Sequence, residues 1–159
     1  GLEYNMYGGK GRGLVSFSLD GPQLILNSSI KSLDLEKFDN TSKGFKTKAT
    51  GAVNLDITLE LNGASIEKLV VTADSSTAGK IKQEVILALL NYLPKEKQVE
   101  QLAAELLKDN EFIYDKLNGD FAKRGKGYTL HLVFDGSHFL EFYINIEENA
   151  LNSLTELFK

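Results

Sequence analysis

Residues 52–63, AVNLDITLELNG, alternate without a break. Val53, Leu55, Ile57, Leu59 and Leu61 share one parity, and Asn54, Asp56, Thr58, Glu60 and Asn62 share the other. Successive side chains of a strand point to opposite faces, so this segment predicts a strand with one apolar and one polar face. The same period of two recurs upstream in Val15, Phe17 and Leu19, and after the turn Asp20-Gly21-Pro22 in Leu24, Leu26, Ser28 and Ile30. Leu33 to Phe38 reads as one short helical turn with Leu35 and Phe38 inward, and the polar run Asp39 to Lys48 as a loop. Asn62-Gly63 is a strong turn pair, and KLVVTAD from Lys68 to Asp74 is β-branched enough for another strand.

The period then changes. Ser75, Ser76 and Thr77 offer helix N-caps, and Ile81, Val85, Ile86, Leu89, Leu90 and Leu93 recur at three and four, which predicts an amphipathic helix ended by Pro94. KEKQVEQLAAELLKD predicts a second helix, with Val99, Leu102, Ala103, Leu106 and Leu107 inward. Strands return with Phe112, Tyr114, Leu117, Gly119 and Phe121, then Tyr128, Leu130, Leu132 and Phe134 after Arg124-Gly125-Lys126-Gly127. After Asp135-Gly136-Ser137 come Leu140, Phe142, Ile144 and Ile146, with Glu141, Tyr143, Asn145 and Glu147 facing outward. A short helix after Asn149 carries Ala150, Leu151, Leu154, Leu157 and Phe158 on one side.

The expected fold class is α+β: a mostly antiparallel, curved, open β-sheet with a two-helix insert and a short C-terminal helix. The expected organisation is one domain over 1–159, with strands in 1–74, a helical insert in 75–110, strands in 111–147 and a terminal helix in 148–159. The chain is long enough to bury a core without staples. It opens on Gly1 with no Met, as an excised fragment of a larger protein would, so any targeting segment is expected upstream.

Composition narrows the function classes. Acidic residues outnumber basic ones 22 to 18, which disfavours a nucleic-acid partner. The absence of cysteine removes disulfide frameworks, thiolate metal sites and thiol catalysis. His131 lies on the outer parity of its strand, and its spacing to His138 fits no metal motif. Gly8-Gly9-Lys10-Gly11-Arg12-Gly13 lacks the phosphate-loop spacing and is followed by strand, so it reads as a glycine-rich turn or bulge. Glu147-Glu148 beside a helix start serves its dipole, Glu36 has no acidic partner in view, and no serine sits in a nucleophile elbow. The expectation is a non-enzymatic protein with no metal and no cofactor.

Two segments carry a family resemblance. YGGKGRGLVSFSLDGPQLILNSSIKSLDLEKF, with TGAVNLDITLELNG after it, resembles the C-terminal region of AsmA-like proteins. NEFIYDKLNGDFAKRGKGYTLHLVFDGSHFLEFYINIEENALNSLTELF resembles the corresponding segment of the YdbH branch of that superfamily. The matching elements are Phe112, Tyr114 and Leu117, then Tyr128-Thr129-Leu130-His131-Leu132 with Gly136, then Asn145-Ile146-Glu147-Glu148-Asn149. The chain differs from the family pattern in having Ala150 where a proline is common and a shorter Gly136-Ser137-His138 loop. The resemblance implies a periplasmic segment of a protein anchored in the inner membrane of a diderm bacterium. It implies a taco-shaped sheet whose apolar groove shields phospholipid acyl chains, with this segment near the outer-membrane end of the protein.

On that reading Val15, Phe17, Leu19, Val53, Leu55, Ile57, Leu59 and Leu61 line the groove. The competing arrangement packs the apolar stripe of Ile81 to Leu107 on the same face and makes a closed core. The helices would then serve as an end cap, or as a plug that moves when lipid passes. A second class of function is docking through a sheet edge. Leu140, Phe142, Ile144 and Ile146 would form an edge strand that accepts a strand from a small outer-membrane lipoprotein or from the upstream sheet of the same protein.

Overall fold

The structure, a computed structural model, describes residues 1–18, 20–21, 23–41, 48–92 and 111–147, with backbone only for Asp39, Asn40 and Thr41. Nine strands and two short helices follow one another in these segments. The strands are β1 (Leu2–Met6), β2 (Gly9–Phe17), β3 (Gln23–Asp34), β4 (Ala52–Asn62), β5 (Ser65–Ser75), β6 (Gly79–Lys82), β7 (Glu111–Arg124), β8 (Gly127–Gly136) and β9 (Phe139–Glu147). Helix α1 spans Leu35–Thr41 and α2 spans Gln83–Leu90. All strands join one antiparallel sheet in the order β1-β2-β3-β4-β5-β7-β8-β9, and β6 pairs with β7 beside the end of β5. The sheet is open, with β1 and β9 at its edges.

The alternating segments became strands for the reason their pattern gives. Along β9 the burial alternates residue by residue, with Leu140, Phe142, Ile144 and Ile146 buried and Glu141, Tyr143, Asn145 and Glu147 exposed. The turn pair Asn62-Gly63 joins β4 to β5, with Gly63 at φ +59°. The glycine-rich stretch is a turn at Tyr7-Gly8 followed by β2. Gly11 faces Tyr4 across the strand pair, where a Cβ would overlap the Tyr4 ring.

Four expectations need correction. The short helix runs from Leu35 to Thr41, because Leu33 and Asp34 end β3, so it starts later than Leu33 and takes in the first residues expected as a loop. Ser75, Ser76 and Thr77 do not cap a helix. The Ser75 hydroxyl accepts from the Leu117 amide at 2.9 Å, the Ser76 amide donates to the Ala52 carbonyl at 2.9 Å, and the Thr77 hydroxyl accepts from the Ala52 amide at 2.8 Å. Ile81 belongs to β6, so the helix starts only at Gln83, and strand extends into the segment read as a helical insert. Ile81 is buried all the same, because β6 lies against β7 with Ile81 opposite Phe112. Phe38 is 50% exposed and meets Tyr7 edge-on at 5.1 Å, where an inward side chain was expected. Helix α1 is capped instead by Asp34, whose Oδ1 accepts from the amides of Glu36 and Lys37 at 3.0 and 3.2 Å. The expected second helix of the insert and the terminal helix lie outside the described residues.

A line of irregular backbone crosses the sheet near one end, called here the upper end, where β1 turns into β2. It passes through the register shift between Ile30 and Leu33 with Ser32 at φ +55°, through Gly51 at φ +106°, through residues 76–78 between β5 and β6, and through the shift between Tyr114 and Lys116. Above it, the segment around Ala49 pairs with β6, while below it β4 pairs with β5. Bulges redirect strands and leave ladder groups unpaired. Side chains take over here: the Ser32 amide donates to Asn54 Oδ1 at 3.0 Å, and Ser75 and Thr77 act as above.

Tyr114 sits on this line, fully buried, in register with Gly79 on one side and Gly136 on the other. Its hydroxyl donates to the Thr50 carbonyl at 2.8 Å. A Cβ at Gly51 would lie 2.6 Å from that hydroxyl, and one at Gly79 would overlap both the hydroxyl and the Thr50 carbonyl. Phe134 packs against Tyr114, Phe112 and Phe142 with centroids 6.0 to 6.3 Å apart at steep angles, an edge-to-face set. Ile86, Leu89 and Leu90 of α2 complete this core with Ile30, Leu33, Val53 and Ile81.

Burial raises the Tyr114 pKa above 10.0, because the phenolate would be stranded away from water. The neutral form stabilises the fold fully below that value, and the contribution is lost as pH rises from about 10 through the folded-state pKa. Tyr114→Phe is expected to cost about 1 kcal/mol at neutral pH, for the lost hydrogen bond. It should also flatten the loss of stability above pH 10. Urea unfolding of both proteins between pH 7 and 11 checks both; an equal alkaline slope would contradict the assignment.

Candidate functional site

The register joins the alternating strands into one apolar face. One row runs Ile30, Leu55, Ala73, Gly119, Leu132, Phe142 across six strands. The next runs Ser28, Ile57, Val71, Phe121, Leu130, Ile144. Below these, Val15, Leu26, Leu59 and Leu69 align across β2 to β5, and then Phe17, Leu24, Leu61 and Ile66. Eight strands at about 4.8 Å spacing make this face roughly 34 Å wide. A one-residue slip in any strand would turn its apolar set to the other side, so the hydrophobic pattern holds the register.

The face is not covered evenly. At the upper end Leu33 and Val53 are each 3% exposed, under the core that includes α2. Along β9 all four apolar side chains are buried. Over lower β2 to β5, Val15, Leu24, Leu26, Leu59, Leu61 and Leu69 are only half-buried, and Phe17 is 71% exposed. Of the residues expected to line a groove, Val15, Phe17, Leu55, Ile57, Leu59 and Leu61 therefore share this accessible stretch of wall. Val53 is on the same face but enters the closed core, and Leu19 lies outside the described residues. Among the described residues this face is closed at the upper end and half-buried over lower β2 to β5, and residues 93–107 of the expected closed-core arrangement lie outside the described residues.

The opposite face is mostly polar, with Leu14, Ile25, Val70, Ala122 and Val133 among its residues. Ser29, Asp56, Thr72, Asp120, His131 and Tyr143 form one of its rows. His131 Nε2 lies 2.8 Å from Glu141 Oε1, and the His131 and Tyr143 rings are 5.9 Å apart. A hollow of about 810 Å³ crosses β1 to β5, lined by residues that include Arg12, Asn27, Asp56 and Thr72, with Arg12 paired to Glu3 at 3.1 Å. Among the described residues no three His, Cys, Asp or Glu side chains gather as a metal site. The carboxylates Asp56, Asp120 and Glu141 of this face stand on separate strands, and of these Glu141 meets His131.

The fold and this face define the class: an open, antiparallel β-sheet protein with a continuous apolar wall. Comparisons of the chain with family models, curated proteins and solved structures found no match in any of the three. The wall also includes Leu24, Leu26, Ile66, Leu69 and Val71, which the sequence did not assign to a groove, although all but Ile66 lay in expected strands. Their signal was the same period of two. Only the strand order put them beside Leu59 and Leu61.

The two parts of the wall should respond differently to truncation. Leu33→Ala in the closed part is expected to cost about 3 kcal/mol, and Leu59→Ala in the half-buried part about 1 kcal/mol. Denaturant unfolding of the two variants measures this. Equal costs would mean that the wall is one sealed core.

Proposed function

We propose that this chain is a non-enzymatic segment of a phospholipid-transport protein of the AsmA-like type. Its curved sheet shields acyl chains along the lower apolar wall of β2 to β5. The observation that supports this most is the unbroken row pattern. It puts aliphatic side chains on adjoining strands, half-buried and with no polar interruption other than Ser28. A hydrocarbon chain in water costs about 0.8 kcal/mol per exposed CH₂. A wall that moves such a chain needs continuity more than shape, and it needs no reacting group. Branched aliphatic side chains at regular spacing meet that need. The closed upper core with α2 then acts as an end cap, leaving the lower wall to carry lipid.

The rest of the reading follows the resemblance of the two sequence segments. The segment lies in the periplasm, within a longer protein anchored in the inner membrane of a diderm bacterium, near its outer-membrane end. No described helix is long and apolar enough to cross a membrane, so on this reading the anchor is elsewhere in the protein.

A second reading is favoured by β9. Among the described residues this nine-residue strand has a strand neighbour on one side only. Phe139 and Tyr143 are 65% and 61% exposed on its outer face. Such an edge accepts a further strand by backbone hydrogen bonding. Glu141 and Glu147 on that face would select a partner strand with cations at the facing positions, from a lipoprotein or from the upstream sheet.

Native mass spectrometry of protein purified from bacteria is expected to show bound phospholipid on the wild type. Ile57→Lys, which places a charge at the centre of the wall, is expected to lower the bound fraction at least fivefold, because a cation has to be desolvated against hydrocarbon. Unchanged lipid on the variant would refute the wall. For the second reading, Phe139→Lys with Tyr143→Lys should abolish capture of a partner strand while leaving bound lipid unchanged. Measuring both quantities on both variants separates the two functions.

A further inference from the structure

Lys123 is out of place on the apolar face. It is the next residue on that face after Phe121, and the register sets it opposite Tyr128. Its Nζ lies 5.7 Å from the Tyr128 ring centroid and donates to the Gly125 carbonyl at 2.9 Å. The Tyr128 ring in turn stacks on Phe121, with centroids 5.3 Å apart and planes 3° from parallel. The apolar surface of β7 and β8 therefore ends at the lower rim in a cation held over an aromatic ring.

Two more cations follow on the same hairpin, Arg124 and Lys126, both exposed. Elsewhere Arg12, Lys37, Lys48, Lys68 and Lys80 each meet a carboxylate within 4 Å. Lys123, Arg124 and Lys126 form no such pair among the described residues, and neither do Lys10, Lys31, Lys82 and Lys116; what sets the hairpin apart is that its Lys123 stands on the apolar face. At the rim beside the hairpin is a hollow of about 760 Å³, where Tyr128 and Ile146 of the apolar face meet Arg124, Asn145 and Glu147 of the polar face, with Lys126 between them on the turn. With Glu147 counted, the hairpin and its hollow stay net positive in a chain whose formal charge is −4.

We infer that the β7–β8 hairpin is the headgroup end of the lipid track, receiving the phosphate of an anionic phospholipid whose chains lie on the wall. This rests on the acyl-chain reading of the wall. A phosphodiester cannot follow its chains onto hydrocarbon without losing its water, so it has to stop where the apolar face stops. At this rim it meets Lys123, held over the Tyr128 ring, with Arg124 and Lys126 exposed beside it. Exposed charges are screened by salt and each contributes modestly. The hairpin accordingly sets a preference for headgroup charge, while the wall supplies the affinity.

The test uses the full chain incubated with vesicles of equimolar phosphatidylglycerol and phosphatidylcholine with matched chains. Bound lipid is then identified by mass spectrometry. The wild type is expected to enrich phosphatidylglycerol roughly fivefold at low salt, falling toward parity near about 0.5 M salt. The triple variant Lys123→Gln, Arg124→Gln, Lys126→Gln should carry the same total lipid with no enrichment, its fold checked by circular dichroism. Equal enrichment in the variant, or none in the wild type, with total lipid unchanged, overturns the hairpin assignment and leaves the wall standing. No lipid of either kind on the wild type overturns the wall, and the hairpin assignment with it. A parallel titration with inorganic phosphate separates a free-anion site: saturable binding of phosphate without phosphatidylglycerol enrichment would also overturn the lipid assignment.

Discussion

The upper end of this sheet depends on one buried tyrosine. Tyr114 stands where four strands lose their regular ladder, and its hydroxyl closes the Thr50 carbonyl that the irregular backbone leaves free. A ring of that size fits only because its cross-strand neighbours Gly79 and Gly136 have no side chain and Gly51 takes a φ of +106°. The same irregularity lets β6 turn off the line of β5 and deliver α2 onto the apolar face. Without it β5 would continue straight, and the apolar side chains of α2 would have no matching surface.

That arrangement divides a single apolar face into two environments. Near Tyr114, side chains from α2, β3, β4, β6, β7 and β8 interlock, and the aromatic set around Phe134 adds edge-to-face contacts. Lower on β2 to β5 the chemistry of the side chains is unchanged, but their burial falls from nearly complete to partial. What differs is the cover, not the residue types. A lipid-carrying role and an ordinary core therefore draw on the same pattern, and Leu33 and Leu59 are indistinguishable by composition.

Much of the sheet was legible in the sequence because a period of two is a local consequence of strand geometry. β4, β8 and β9 needed nothing beyond it, and the turn at Asn62-Gly63 followed from its residue pair. The bulges also left a trace. The apolar parity slips between Ile30 and Leu33, between Leu61 and Leu69, and between Tyr114 and Leu117, and the structure has a register shift at or beside each place. β1 was not legible, since Leu2, Tyr4 and Met6 next to a glycine-rich stretch form too short a run to weigh. The Ser75–Thr77 segment misled for a physical reason. Serine and threonine accept from any nearby amide, and here the available amides belonged to Leu117 and Ala52, 42 and 25 residues away from their acceptors.

The sequence by itself determined which side chains share a face, because alternation is written residue by residue along each strand. It also determined that no cysteine chemistry is present. Which strands lie side by side, that Lys123 ends the apolar surface, and which part of that surface is sealed were decided only by the tertiary structure. Strand order and cover depend on contacts between residues far apart in the chain. Leu59 meets Leu26 and Leu69 through backbone pairing that no local pattern encodes, and its remaining exposure depends on where α2 comes to rest.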